Sequence, residues 1–171
     1  MEEYSPNDRK LNDSRGKLGP VVLIRNCENR GYAAGNNVGI RHAVAHAADA
    51  VWILNNDTVV KPDALAAMVA RLFSKSQPGL CGSLIRYFCN PDAVQCRGGG
   101  WTSRITLLSR LDGNDRPVSE ALSESPETVE QRLNFIYGAS VMASREFLVC
   151  VGLMDEGYFL YCVEQDWSFS A

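Results

Sequence analysis

No stretch of the sequence approaches the ~20 consecutive apolar residues that cross a bilayer, so no transmembrane segment is expected. The opening residues, MEEYSPNDRKLNDSRGK, lack the basic start and apolar core of a secretory signal. A dominant sign of charge is lacking too. Lys and Arg number 17 against 20 Asp and Glu, a net charge of −3, and the cations are scattered. That balance argues against a nucleic-acid partner or a general affinity for anionic surfaces. The six cysteines (Cys27, Cys81, Cys89, Cys96, Cys150 and Cys162) include no CxxC pair, and all but Cys96 have apolar or aromatic neighbours. They are expected to be reduced, mostly buried thiols of a cytoplasmic chain. What is present is 171 residues at 46% hydrophobic, enough for a single domain with one core.

Hydrophobic periodicity orders the chain as strand, helix, strand, helix, strand. PVVLIRN (20–26) reads as a short parallel strand covered on both faces. NNVGIRHAVAHAADA (36–50) has Ile40, Ala43, Val44 and Ala47 at helical spacing, and VWILN (51–55) is the next strand. Pro62 suits the first turn of a helix whose apolar face carries Leu65, Met68, Val69 and Leu72. GLCGSLIRYF (79–88) and AVQCRGGGW (93–101) read as further strands. The order predicts an α/β sheet with crossover helices. Between 101 and 132 the periodicity fades into a Ser-, Glu-, Pro- and Gly-rich stretch, expected to be a mobile surface loop of the kind that forms lids. LNFIYGASVMAS (133–144) returns as a strand broken at Gly138, Ser144 can cap a short helix, and EQDWSFSA (164–171) begins with acids as a helix start does.

Three clusters could carry chemistry. The strand VWILN runs into Asn55, Asn56 and Asp57, and in α/β sheets ligands gather beyond the carboxyl ends of strands. A carboxylate there can hold Mg²⁺ or Mn²⁺, hard ions that need few protein ligands beside water and phosphate oxygens. The alternative is that Asp57 or Thr58 merely caps the turn toward the next helix. MDEGYFLYCVEQDW places Asp155, Glu156, Glu164 and Asp166 among aromatics. Glu164 and Asp166 are two apart, so on a helix they point about 200° from each other and need different roles. NRGYAAGNN carries Gly31 and Gly35 with Asn29, Asn36 and Asn37. Its GxxxG spacing is not the GxGxxG dinucleotide fingerprint, and tight strand-to-helix packing accounts for it as well. His42 and His46 stand four apart but lack the intervening Glu of a zinc helix, and a solvated helix face is the simpler reading.

Taken in order, ENRGYAAGNNVGIRHA, VWILNNDTVVKPDAL, GAS and VGLMDEGYFLYCVEQDWSF resemble the family 2 glycosyltransferases, and in particular their bacterial rhamnosyltransferase-like branch. The resemblance implies a GT-A-like mixed sheet flanked by helices. It also implies inverting transfer of a sugar from a nucleotide diphosphate donor. Residue by residue, it implies that Asp57 binds the divalent metal, Mg²⁺ or Mn²⁺, and that Asn36, Asn37, Asn55 and Asn56 line the donor pocket. Gly138, Ala139, Asp155 and Trp167 then fall on the acceptor side, Glu164 takes the place of the general base, and Asp166 that of the acid following it. The implied partners are a nucleotide-sugar donor and a glycan or lipid-linked acceptor. The implied setting is polysaccharide synthesis in the cytoplasm or at the inner face of the membrane.

The chain departs from the family pattern at Val163, where the family carries an acid, and at Ser170, near where it carries an arginine. The resemblance further implies that most of the family's first β-α-β unit, which precedes the present start, is missing, SPND resembling only the tail of its last loop. Residues 1–171 are therefore expected to be one partial glycosyltransferase domain with a polar N-terminal segment (1–19), able to associate with a complementary segment. The alternative class is a non-catalytic fragment or pseudoenzyme that serves as an interaction module.

Overall fold

The computed structural model describes residues 21–170. At its centre is a three-stranded sheet in the order β1–β8–β2, made of β1 (Ala50–Leu54), β8 (Ser140–Ser144) and β2 (Leu80–Gly82). Both β1 and β2 pair antiparallel to β8, with Leu54 opposite Ser140 and Cys81 opposite Met142. Hence β1 and β2 run parallel to each other, joined by helix α2 (Ala64–Leu72), with the late strand β8 inserted between them. The crossover unit is present, but the sheet pairings are antiparallel where parallel neighbours were expected.

Strand alternation sorts the apolar side chains into two layers. Ile53, Val141 and Ala143 face α1 (Gly31–Ala45), α5 (Arg145–Cys150) and α6 (Val163–Phe169), where Ile40, Phe147, Val163 and Trp167 complete the larger core. Met142, with the partly buried Ala50 and Trp52, faces α2, where Met68 and Leu72, with Cys81 of β2, form a smaller one. Each fully buried aliphatic side chain of this kind contributes about 1.5–3 kcal/mol. Met68 and Leu72 are buried as expected, while Leu65 and Val69 of the same helix stay exposed. The other core holds Val163, which explains the departure there, since an acid in that place would be desolvated without a partner.

A second antiparallel sheet has the order β3–β4–β5–β6 and comprises β3 (Leu84–Arg86), β4 (Val94–Arg97), β5 (Gly99–Thr102) and β6 (Ser109–Leu111). The short β7 (Phe135–Ile136) pairs with β5 and leads straight to Gly138. The stretch GLCGSLIRYF is thus split between two sheets, and AVQCRGGGW is a hairpin turned at Gly98. As expected, Ser144 accepts from the Phe147 amide at 3.0 Å and caps α5.

Several expectations are corrected. Residues 21–26 form no strand: Val21, Val22 and Leu23 are exposed, and among the described residues no neighbouring strand supplies their backbone partners. Pro20 and the polar segment 1–19 lie outside the described residues. Stretch 101–132 is built of secondary structure, with the end of β5, β6, α3 (Val118–Ala121) and α4 (Pro126–Glu130). It is held by ion pairs that sequence periodicity does not register. Arg97 reaches Asp112 at 2.7 Å and Glu124 at 3.1 Å, and Arg132 reaches the same two acids at 2.6 Å. Arg71 of α2 clasps Glu127 and Glu130 of α4. The cysteines are free, but Cys27, Cys89, Cys150 and Cys162 are exposed, and Cys96 is among the most buried. Apolar neighbours in sequence do not fix which face a side chain takes.

Candidate functional site

The turn after β1 is tied to the break between β7 and β8. The Asn55 amide donates to the Ala139 carbonyl at 3.0 Å, and the Thr58 hydroxyl closes the turn by donating to the Asn55 carbonyl at 2.7 Å. Thr58 therefore serves the turn and not α2, whose own N-cap residue, Asp63, makes no side-chain cap bond. Asp57 is left exposed at the carboxyl end of the strand, with no hydrogen bond or ion pair to its carboxylate among the described residues. Asn56 beside it is exposed as well.

From the other side comes Glu164. A Cβ placed on Gly138 would meet the Glu164 carboxyl carbon at 3.3 Å and its two oxygens at 3.4 and 3.5 Å. The absence of a side chain at Gly138 thus lets this carboxylate lie against the chain. Tyr32 completes the cluster by donating its hydroxyl to the Gly138 carbonyl at 2.8 Å. Burial, and then the charge of Glu164, push the Tyr32 phenol up to about 12, against a smaller pull downward from the Asn36 amide. Tyr32 is therefore a proton-bearing donor at any ordinary pH. Asn36 is anchored one turn away, its amide donating to the Tyr32 carbonyl at 3.0 Å. The Tyr137 phenol is raised by burial first, and then by the charges of Cys96, Glu164, Tyr87 and Asp57. It thus feels both the acid at the end of β1 and the acid of α6.

Asp166 takes a different direction from Glu164, as their spacing predicts. Its charge is the first cause raising the Tyr158 phenol, followed by burial and then by the charge of Asp155. Asp155 itself is exposed and accepts from the Gly157 amide at 2.8 Å. Asp155 and Asp166 therefore both act on the Tyr158 phenol, while Tyr32 and Glu164 both meet Gly138.

Two expected site residues serve the frame instead. Asn37 is 1% exposed, and its amide spans the Met154 backbone: Nδ2 donates to the Met154 carbonyl at 2.8 Å, and Oδ1 accepts from the Met154 amide at 3.1 Å. Its second amide hydrogen goes to Glu156 Oε1 at 3.0 Å. With every polar group engaged, Asn37 clamps the acidic loop and does not line a donor pocket. Trp167 is 2% exposed, packs edge-on against Phe147 with ring centres 5.1 Å apart, and donates to the Gly152 carbonyl at 3.0 Å. It belongs to the core and not to the acceptor side. The clamp predicts that Asn37→Ala strands a buried backbone donor and acceptor and destabilises the fold by about 1–3 kcal/mol, measurable by chemical denaturation.

Tyr32, Tyr137 and Tyr158 were not singled out from sequence, although Tyr137 directly precedes Gly138. Also unforeseen is the approach to α6, where Tyr161 and Cys162 adopt φ of 66° and 59°. Two adjacent non-glycine residues in the left-handed region are a costly way to enter a helix, and they sit just ahead of Glu164. Gly31 supports this loop from beneath. Its φ is 92°, and a Cβ there would fall 2.4 Å from the Phe159 carbonyl oxygen, which the Tyr32 amide contacts at 2.8 Å. Gly35, by contrast, has open space around it, so close packing explains only the first glycine of the GxxxG pair. His42 and His46 stack with ring centres 4.2 Å apart, and among the described residues no group of three or more His, Cys, Asp or Glu side chains is disposed to hold a metal.

An exposed acid thus follows the carboxyl end of β1, and the turn tied to that end carries the Glu164 carboxylate, in the region where α/β sheets gather ligands. The sequence profile of Glycosyl transferase family 2 matches residues 7–112, more than half of the chain. The chain belongs to that family and carries a glycosyltransferase domain. The match includes Asn36 and Asp57 but ends at Asp112, so Gly138 and Glu164 join the site through the fold. No curated protein matches the sequence. No helix among the described residues is long and apolar enough to cross a membrane.

Proposed function

We propose that this chain transfers a sugar, with inversion, from a nucleotide diphosphate donor to a hydroxyl of a glycan or lipid-linked acceptor. The observation that carries the reading is that the Glu164 carboxylate lies against Gly138, in a turn that the Asn55–Ala139 backbone bond ties to the strand end followed by Asp57. Inverting transfer is a single displacement: the acceptor oxygen bonds to the anomeric carbon as the bond from that carbon to the diphosphate breaks. The acceptor proton goes to a base, and the nucleoside diphosphate departs as an anion. Glu164 is the base, held against Gly138, while the Tyr32 hydroxyl fixes the carbonyl of that same residue. Asp166 and Asp155, with Tyr158, orient the acceptor. No second carboxylic acid is needed, because a diphosphate, unlike the alcohol released by a glycosidase, leaves without being protonated.

Asp57 would hold the Mg²⁺ or Mn²⁺. Its carboxylate is exposed and unengaged by other described residues, which suits an ion that takes one or two protein oxygens and completes its shell with water and phosphate. Such an ion supplies positive charge to the departing diphosphate. Asn55, Asn56 and Asn36 shape the approach to it. The likeness to the rhamnosyltransferase-like branch directs the choice of donor first to rhamnose, as a precursor of surface polysaccharide.

The test is release of nucleotide from uridine- and thymidine-diphosphate sugars in the presence of Mn²⁺ or Mg²⁺. The expected result is metal-dependent turnover, with Asp57→Asn raising the cation concentration for half-activation about tenfold through loss of one ligand charge. Equal, negligible release by the wild type and by Asp57→Ala would remove the enzymatic reading. A non-catalytic module is favoured by one observation. Asp49 and Asn55 direct backbone bonds toward β8, so strand alternation turns the polar groups of Ala50, Trp52 and Leu54 toward the other edge of β1, where no described strand pairs with them. Beside that edge Ala50, Trp52, Leu65, Val69, Phe73 and Met142, together with the polar Asp49, line a groove of about 310 Å³, suited to a complementary segment that pairs with the strand edge.

A further inference from the structure

The hairpin joining β5 to β6 has a tip, Ser103–Leu108, whose large side chains face outward. Ile105 is 94% exposed, Leu107 74% and Leu108 72%, and Trp101 stands half exposed at the base. Leu107 holds a φ of 57°, a conformation that costs a leucine free energy and that displays its side chain on the turn. The tip also carries its own hydrogen-bond partners. The Ser103 amide donates to the Leu108 carbonyl at 3.0 Å, and the Leu107 amide to the Ser103 carbonyl at 2.8 Å. Ser103 Oγ accepts from the amides of Ile105 and Thr106 at 3.3 and 3.1 Å, and Thr106 Oγ1 from the Leu108 amide at 3.5 Å. With five of the six backbone amides of 103–108 engaged within it, the tip can leave water with few donors stranded. Its charge also runs against that of the chain. Residues 98–111 contain Arg104 and Arg110 and no acid, whereas the whole chain is at −3. The nearest acid beyond, Asp112, is already engaged by Arg97 and Arg132.

We propose that this hairpin tip is a membrane-docking element that places Ile105, Leu107 and Leu108 in the outer layer of an anionic bilayer. Arg104 and Arg110 lie at the level of the lipid phosphates, and Trp101 sits in the interfacial zone that indole rings favour. Arg104 is held to one side by the Phe169 ring, 4.5 Å from its centre, which leaves the apolar tip unobstructed. The lipid phosphates supply the negative charge that this cationic, acid-free segment complements, and this favours a bilayer over an apolar groove on another protein. The inference does not depend on the transferase reading.

Cosedimentation of the full chain with phosphatidylcholine vesicles, with and without about 30 mol % phosphatidylglycerol, tests it. The wild type is expected to partition onto the anionic vesicles. The triple variant Ile105→Ser, Leu107→Asn, Leu108→Ser should bind them at least about tenfold less, and Arg104→Gln with Arg110→Gln should abolish the preference for phosphatidylglycerol. These side chains are outside the core, so thermal unfolding of the triple variant should match the wild type. Brominated lipid should quench wild-type tryptophan emission, and Trp101→Phe should remove that quenching. Absence of wild-type binding to either vesicle, or equal binding by the wild type and the triple variant, overturns the proposal. Tip-dependent self-association without lipid binding overturns it too, and makes the hairpin a protein interface.

Discussion

Glu164→Gln is expected to lower turnover of a nucleotide sugar about 100- to 10,000-fold, the range lost when a positioned general base is removed. The amide has the size of the carboxylate and meets the same neighbour, Gly138, where a Cβ would lie 3.3–3.5 Å from the carboxyl group. Shape is kept, and the ability to take a proton is lost. Thermal unfolding should therefore be unchanged, and donor KM nearly so, with the loss concentrated in kcat. A parallel Asp166→Asn variant separates the two acids of α6. Because Asp166 acts on the Tyr158 phenol, its loss should raise acceptor KM more than it lowers kcat. If Glu164→Gln kept turnover within a few-fold of wild type while Asp166→Asn lost it, the base would have to be reassigned to Asp166.

The Gly138 turn was legible because several local signals agreed there. A strand-like run broke at a glycine, and alternation in VWIL and SVMAS set which faces of β1 and β8 enter which core. The Ser144 cap was legible for the same reason, being a contact between residues three apart. Asn37 and Trp167 were misread because a motif names neighbours in sequence, whereas their partners depend on tertiary packing. Met154 lies 117 residues beyond Asn37, and nothing within NRGYAAGNN distinguishes an amide that clamps a distant loop from one that faces a ligand. The run at residues 21–26 has strand composition yet no pairing, since β-propensity describes a fit to neighbours and none is described beside it. Stretch 101–132 concealed its order for a further reason. Its elements span three to five residues, too few for a period to show, and they are fixed by charge.

That charge network sets the second large effect. Arg97→Leu is expected to destabilise the fold by about 3 kcal/mol, because the largely buried Asp112 loses one of its two guanidinium partners, Arg132 alone remaining, and the Ala121 carbonyl loses its donor. In a chain of this size that lowers Tm by about 10 °C. The Arg97 side chain is 9% exposed, and besides Asp112 and Glu124 it donates to the Ala121 carbonyl at 2.9 Å, so its removal unties β4, β6 and α3 together. Burial by itself would raise the Asp112 carboxyl, but hydrogen bonds from Arg132 and Arg97 outweigh it and hold the group below its ordinary 3.8. A depressed folded value means that the network's contribution is complete above the unfolded value and is lost as pH falls through the folded one. Wild-type stability should therefore decline on the acid side of the ordinary carboxylate range, and Arg97→Leu should flatten that limb as well as lower the plateau at neutral pH. A double variant, Arg97→Leu with Asp112→Leu, discriminates between an electrostatic and a packing origin. If the cost arises from the weakened pairing of a buried charge, removing Asp112 as well should restore part of the lost stability. If the double variant is no more stable than Arg97→Leu alone, the arginine acts through its aliphatic stem and its bond to Ala121.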